Sequence, residues 1–150
     1  MENTDRIERS VVIHALRSRV WKALTDASEF GTWFRVALDG EFAVGQRISG
    51  KMTYPGHEGA PFFATVERME PEHLFSFRWP MGSDSPSEAD ADSGTTLVEF
   101  RLEDAPEGTK LTVTESGFDR LPAKRRIEAY RGNSEGWTIQ MENIRCHVKV

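Results

Sequence analysis

A single cysteine, Cys146, stands in the 150 residues. No intramolecular disulfide can form, so packing alone must hold the chain, and a reducing compartment is the expected setting. No apolar run approaches the roughly 18 residues that a membrane span requires. Nor does the N-terminal stretch show a charged segment followed by an apolar one, the mark of a secretory leader. The expectations are therefore a cytoplasmic location and no membrane insertion. Basic charge is in deficit. The 19 Lys and Arg face 24 Asp and Glu, for a formal net charge of -5, which gives no electrostatic footprint for nucleic acid.

Catalytic and cofactor motifs are equally scarce. There is no G-x-S-x-G elbow of the kind hydrolases use. Gly45-Gln46-Arg47-Ile48-Ser49-Gly50-Lys51-Met52 approaches a phosphate-binding loop, but Met52 replaces the hydroxyl that would hold magnesium, and the segment alternates like a strand. Asp90, Asp92 and Gly94 resemble the start of a calcium loop, yet Arg101 stands where the closing Glu is needed. His14, His57, His73 and His147 show neither HxH nor HExxH spacing, so no metal is expected. No cofactor is expected either.

What is present is a core. Hydrophobic residues make up 38% of the chain and charged residues 29%, with 9 Phe and 4 Trp to supply large apolar area. A chain of this length can bury about 68–70% of its unfolded surface around one core, so residues 1–150 are expected to form one domain. The polar residues 1–5 and the acidic, Gly- and Ser-rich segment 80–94 are expected to be flexible.

Periodicity orders the elements. Ile7, Val11 and Ile13 share one parity and predict a first strand from Arg6 to His14. Val20, Trp21 and Leu24 fall at helical spacing, and Ser28 is the expected N-cap of a second short helix ending at Trp33 and Phe34. Alternation predicts two strands within Val36 to Tyr54, then a pair at Phe62–Met69 and His73–Trp79, then one strand around Val98, Phe100 and Leu102 and one around Leu111 and Val113. Ile127, Tyr130, Ser134, Trp137, Met141, Ile144 and Val148 recur at steps of three and four, the stripe of one long helix running through Gly132 and Gly136. Strands followed by a terminal helix predict an α+β domain with helices on one face of an antiparallel sheet.

This order, with Val20-Trp21-Lys22-Ala23-Leu24-Thr25-Asp26, Trp33-Phe34, Thr114-Glu115-Ser116-Gly117-Phe118, Gly136-Trp137 and Glu142-Asn143-Ile144, resembles the SRPBCC (START-like) superfamily. Within it, the chain resembles the branch homologous to the activator of heat-shock protein 90 ATPase. The resemblance covers nearly the whole sequence. It implies a helix-grip (START/Bet v 1-like) fold, a curved antiparallel sheet of six or seven strands around the C-terminal helix, with two short helices after the first strand. It also implies a cavity for a small hydrophobic molecule. The eukaryotic activators carry an additional N-terminal region that 150 residues are too few to hold.

Trp33, Tyr54, Phe75, Phe77, Trp79, Trp137 and Met141 are the expected walls of that cavity, because their faces converge there in this fold. Plain core packing is the commoner fate of each taken singly. Glu115 continues the inward parity of Leu111 and Val113, which puts a carboxyl on the buried face, where it needs a partner. Arg9, on the parity of Val11 and Ile13, is the expected partner across the first and last strands. Binding without catalysis is the leading expectation. One alternative is a cyclase or dehydratase using Glu115, Tyr54 or His73 as acid or base. Another is a co-chaperone-like module that docks a protein partner or pairs as a homodimer.

Overall fold

The computed structural model describes residues 6–56, 58–80, 95–118 and 123–148. The expected tail 1–5, His57 and the calcium-like Asp90, Asp92 and Gly94 lie outside them, as does the acidic segment apart from its first residue, Pro80, which ends a strand.

The elements run β1 (Arg6–Ile13), α1 (Arg17–Thr25), α2 (Ala27–Phe34), β2 (Val36–Asp39), β3 (Arg47–Met52), β4 (Pro61–Glu70), β5 (Leu74–Pro80), β6 (Thr95–Ala105), β7 (Gly108–Ser116) and α3 (Ala123–Val148). The strands form one seven-stranded antiparallel sheet in the order β1-β7-β6-β5-β4-β3-β2. From β2 to β7 each strand pairs with the next in sequence, and β1 then joins β7 from the other end of the chain. The segment that approached a phosphate-binding loop is a turn leading into β3.

Three local expectations shift. The N-cap of α2 is Asp26 rather than Ser28, since its side chain accepts a hydrogen bond from the Glu29 backbone N–H at 3.1 Å. That satisfies one of the otherwise orphaned donors of the first turn. His73 and Tyr54 fall outside the strands expected to carry them: His73 closes a turn begun by Pro71, and Tyr54 follows the end of β3. Ile127 is 53% exposed, so the buried stripe of α3 begins at Tyr130, whose ring meets Phe118 edge-on at 5.5 Å. Beyond that point Trp137, Met141, Ile144 and Val148 are all buried. The helix runs unbroken through both glycines.

The inner face of the sheet carries Phe62, Ala64 and Val66 from β4, Phe75, Phe77 and Trp79 from β5, Val98, Phe100 and Leu102 from β6, and Leu111 and Val113 from β7, all buried. Phe30, Trp33 and Phe34 of α2 insert their rings from above. At the far end of α3, the His147 Nε2 lies 2.9 Å from Glu29 on α2, which also pairs with Arg19 of α1 at 2.8 Å. Burial raises the Glu29 carboxyl, but His147, Arg19 and Lys22 outweigh it and hold the group below the usual carboxylate range.

Two glycines should respond in opposite directions to alanine. At Gly31 a Cβ would lie 2.4 Å from the Val36 carbonyl oxygen, where α2 crosses onto β2. The backbone must shift, and Gly31→Ala is expected to cost about 2 kcal/mol. At Gly132 a Cβ would meet nothing within 4 Å, so Gly132→Ala is expected to gain about 1 kcal/mol of helix propensity. Urea unfolding of the two variants beside the wild type reads both signs.

Candidate functional site

The site is built from one end of three neighbouring strands. Trp79 on β5 sits opposite Thr96 on β6 in the register, and Glu115 on β7 sits opposite Val98, one inward position further along β6. All three point inward because each continues the buried parity of its strand. From above, Asn133 and Trp137 of α3, one helical turn apart, reach the same point.

Glu115 is fully buried and is the acceptor at the centre. Its Oε1 accepts from the Trp137 indole N–H at 2.8 Å and from the Asn133 amide at 2.9 Å. Its Oε2 accepts from the Trp79 indole N–H at 2.7 Å and from the Thr96 hydroxyl at 2.5 Å. Burial pushes the Glu115 carboxyl above its ordinary value, and the hydrogen bonds from Thr96, Trp137, Trp79 and Asn133 oppose that rise. Among the described residues its partners are all neutral donors. Arg9 does not fill the expected role. It pairs with Val113 in the β1–β7 register, its Nε donates to the Thr138 hydroxyl at 3.1 Å, and its Nη1 donates to the Glu8 carbonyl. The residue of β1 directly opposite Glu115 is Ile7, so shared parity left Arg9 two positions out of register.

Against this cluster lies a cleft of about 150 Å³, lined by Phe34, Trp79, Asn133, Gly136, Trp137 and Gln140. The Trp79 and Trp137 rings stack with centroids 5.7 Å apart and planes 26° from parallel, and Phe34 stands 6.0 Å from Trp79. Gln140 is held by donating to the Phe34 carbonyl at 3.0 Å and accepting from Asn143. Gly136 leaves the helix bare where a Cβ would meet nothing within 4 Å. Among the described residues no titratable side chain lines the cleft.

The structure brings two of the seven expected wall residues to this cleft, Trp79 and Trp137. Phe75 and Phe77 are fully buried among other rings. Trp33 is a strut between helices, its indole N–H donating to the Ala23 carbonyl at 2.8 Å, and Met141 is packed in the core. Tyr54 is half-buried in the loop after β3. Of the three acid–base candidates, His73 is exposed with Arg17 as its neighbour, so Glu115, Tyr54 and His73 do not assemble around one ligand. Sequence reasoning missed Phe34, Thr96, Asn133, Gly136 and Gln140. The signal for four of them was there: Thr96 continues the parity of Val98 and Phe100, and Asn133, Gly136 and Gln140 follow one another at helical steps of three and four beside Trp137.

A larger, wider groove of about 530 Å³ runs between α2 and β2, lined among others by Asp26, Ser28, Thr32, Val36 and Glu41. Among the described residues it presents no aromatic ring and none of the expected residues. Among the described residues no three His, Cys, Asp or Glu gather as metal ligands, and no helix is long and apolar enough to cross a membrane.

A seven-stranded antiparallel sheet gripping a long C-terminal helix, with two short helices after the first strand, defines a helix-grip domain of the SRPBCC superfamily. The chain belongs to the family described as Activator of Hsp90 ATPase homolog 1-like protein, which matches residues 14–149. Among solved structures it is similar to protein MLL2253 from Mesorhizobium loti, at 24% identity over 95% of each chain with a TM-score of 0.76. A protein from Arthrobacter aurescens aligns at 18% identity over 99% of this chain and 89% of that one, with a TM-score of 0.78. DynU16, a putative protein in the dynemicin biosynthetic locus, aligns at 23% identity over 92% of this chain and 46% of its own, with a TM-score of 0.66. These likenesses concern the fold. No curated protein matches the sequence.

Proposed function

We propose that the chain is a binding protein for a small molecule with an apolar body, received in the cleft between β5 and α3. The observation that carries this reading is the stacked pair Trp79 and Trp137 beside the bare helix surface at Gly136. Glycine costs a helix interior about 1 kcal/mol against alanine, and both Gly132 and Gly136 are unobstructed. What sets Gly136 apart is its place in the cleft lining, where the missing side chain leaves space for an incoming molecule. A volume of about 150 Å³ suits a body of roughly benzene size, with the remainder of a longer molecule extending outward. Among the described residues no titratable group stands on the cleft wall, which favours retention over catalysis.

The test fills the cleft without harming the fold. Gly136→Leu places a side chain into open space and adds helix propensity, so the variant should be as stable as the wild type or more so. A panel of small aromatic, terpenoid and polyketide compounds is screened by thermal shift. A ligand at about 100 times its Kd adds roughly 2.7 kcal/mol to the wild type, and the same ligand should leave Gly136→Leu unmoved. Hits that shift both proteins equally would place binding elsewhere and sink the reading.

A further inference from the structure

Resting on that reading, we propose that the cleft selects an organic cation, a methylated ammonium or comparably diffuse positive group with an apolar body, over a neutral molecule of the same shape.

The argument begins with what surrounds the Glu115 carboxyl. Trp79, Thr96, Asn133 and Trp137 donate to it, and none can carry a positive charge. The two strand neighbours facing it in the register, Val98 on β6 and Ile7 on β1, are apolar. The basic residue expected to compensate it, Arg9, is held by Thr138 and Glu8 instead. Five short hydrogen bonds from four residues form a shell suited to an anion, since a carboxylate only accepts. Among the described residues no countercharge touches this shell, and an uncompensated anion is costly in a buried place.

The cleft offers the place for the missing charge. Three of its six lining residues, Trp79, Asn133 and Trp137, are themselves donors to Glu115. The carboxyl therefore sits directly behind the cleft wall. Each indole that gives its N–H to a carboxylate gains electron density on its ring, and indole is already the strongest aromatic partner for a cation. Phe34 adds a third ring. A diffuse cation seated on these rings would feel their π-faces and, once the carboxyl has ionised, the negative group behind them. A compact ammonium such as lysine's holds its water more tightly and fits this wall less well.

The experiment compares a charged molecule with its uncharged twin. The wild-type protein is titrated with choline and, separately, with dimethylbutanol, which carries carbon in place of the ammonium nitrogen. Binding is followed by the indole N–H resonances of the four tryptophans. The expected result is a preference for choline of about tenfold or more, with the Trp79 and Trp137 resonances moving and those of Trp21 and Trp33 still. Glu115→Gln, if it folds, should reduce the preference several-fold. The wild-type comparison stands whether or not it does. Equal or tighter binding of dimethylbutanol would overturn the cation inference and leave the cleft reading standing. Movement of neither Trp79 nor Trp137 with either compound would overturn the inference too, and the cleft reading would then be decided by the Gly136→Leu comparison.

Discussion

Glu115→Ala is expected to cost about 4 kcal/mol, lowering the melting temperature by roughly 12 °C. The figure follows from what the carboxyl leaves behind. The two indole N–H groups and the Thr96 hydroxyl, all on buried residues, lose their acceptor, as does the half-buried Asn133 amide, and each unsatisfied buried donor costs about 1–3 kcal/mol. Part of that is offset because the desolvation penalty of the carboxyl itself disappears. Glu115→Gln keeps the shape but turns an N–H toward other N–H groups, and about half the loss is expected. The pair also carries a pH signature. The folded carboxyl lies above its ordinary value of 4.5, so the folded state holds the proton more firmly than the unfolded chain does. The resulting stability is present below that value and is lost as pH rises through the folded one. The wild type should therefore lose ground against Glu115→Gln as pH climbs above the ordinary value of 4.5. Glu29 acts in the opposite sense, its stability fading as pH falls, but it is common to both proteins and cancels in the difference. Calorimetry across a pH series measures it, and a difference that stays level would show that Glu115 does not titrate as burial dictates.

Phe100→Ala should cost as much by a different route. Phe100 is fully buried on β6 and touches rings from four directions: Trp33 at 6.4 Å, Phe75 at 6.2 Å, Phe77 at 6.1 Å and Trp137 at 5.7 Å between centroids. Truncation loses the transfer free energy of the ring and leaves a void that neighbouring rings, each fixed by its own strand or helix, fill poorly. The expected loss is about 4 kcal/mol, read as a fall in the urea midpoint with little change in slope. Ile127→Ala serves as the contrast. It removes an apolar side chain that is mostly exposed, and its effect should stay within about 0.5 kcal/mol.

These two sites mark what could be read from the residues and what could not. Parity and helical period are one-dimensional, and they located Glu115 on the buried face and the helix that covers it. They also gave the order of the elements, because burial on one face writes itself along a strand as alternation. Register is two-dimensional, and it decided the rest. Arg9 and Glu115 share a face, yet the β1–β7 pairing sets Ile7 opposite the carboxyl. His73 continues the parity of Phe75, but the chain turns before the strand begins. The cleft was the hardest to foresee. Its walls combine a ring from α2, one from β5 and a helix face that includes a glycine, and although Asn133, Gly136 and Gln140 follow the helical period, that period does not say that a gap lies above them. Expected wall residues such as Phe75 and Met141 had the right character and the right face, but they lie deeper, where packing consumes them.

The pairing of β1 with β7 also sets a clock. Ile7 waits for Glu115, roughly a hundred residues downstream, before its strand can close on the sheet. At about 5–20 residues per second of synthesis, that wait lasts roughly 5–20 seconds, during which the first strand has no partner. Contacts this distant in sequence also slow refolding of the whole chain. The sheet thus closes at the β1–β7 seam only after every other strand has been made and before α3 has followed, and β1, unpaired until then, is the strand most open to misassembly in that interval.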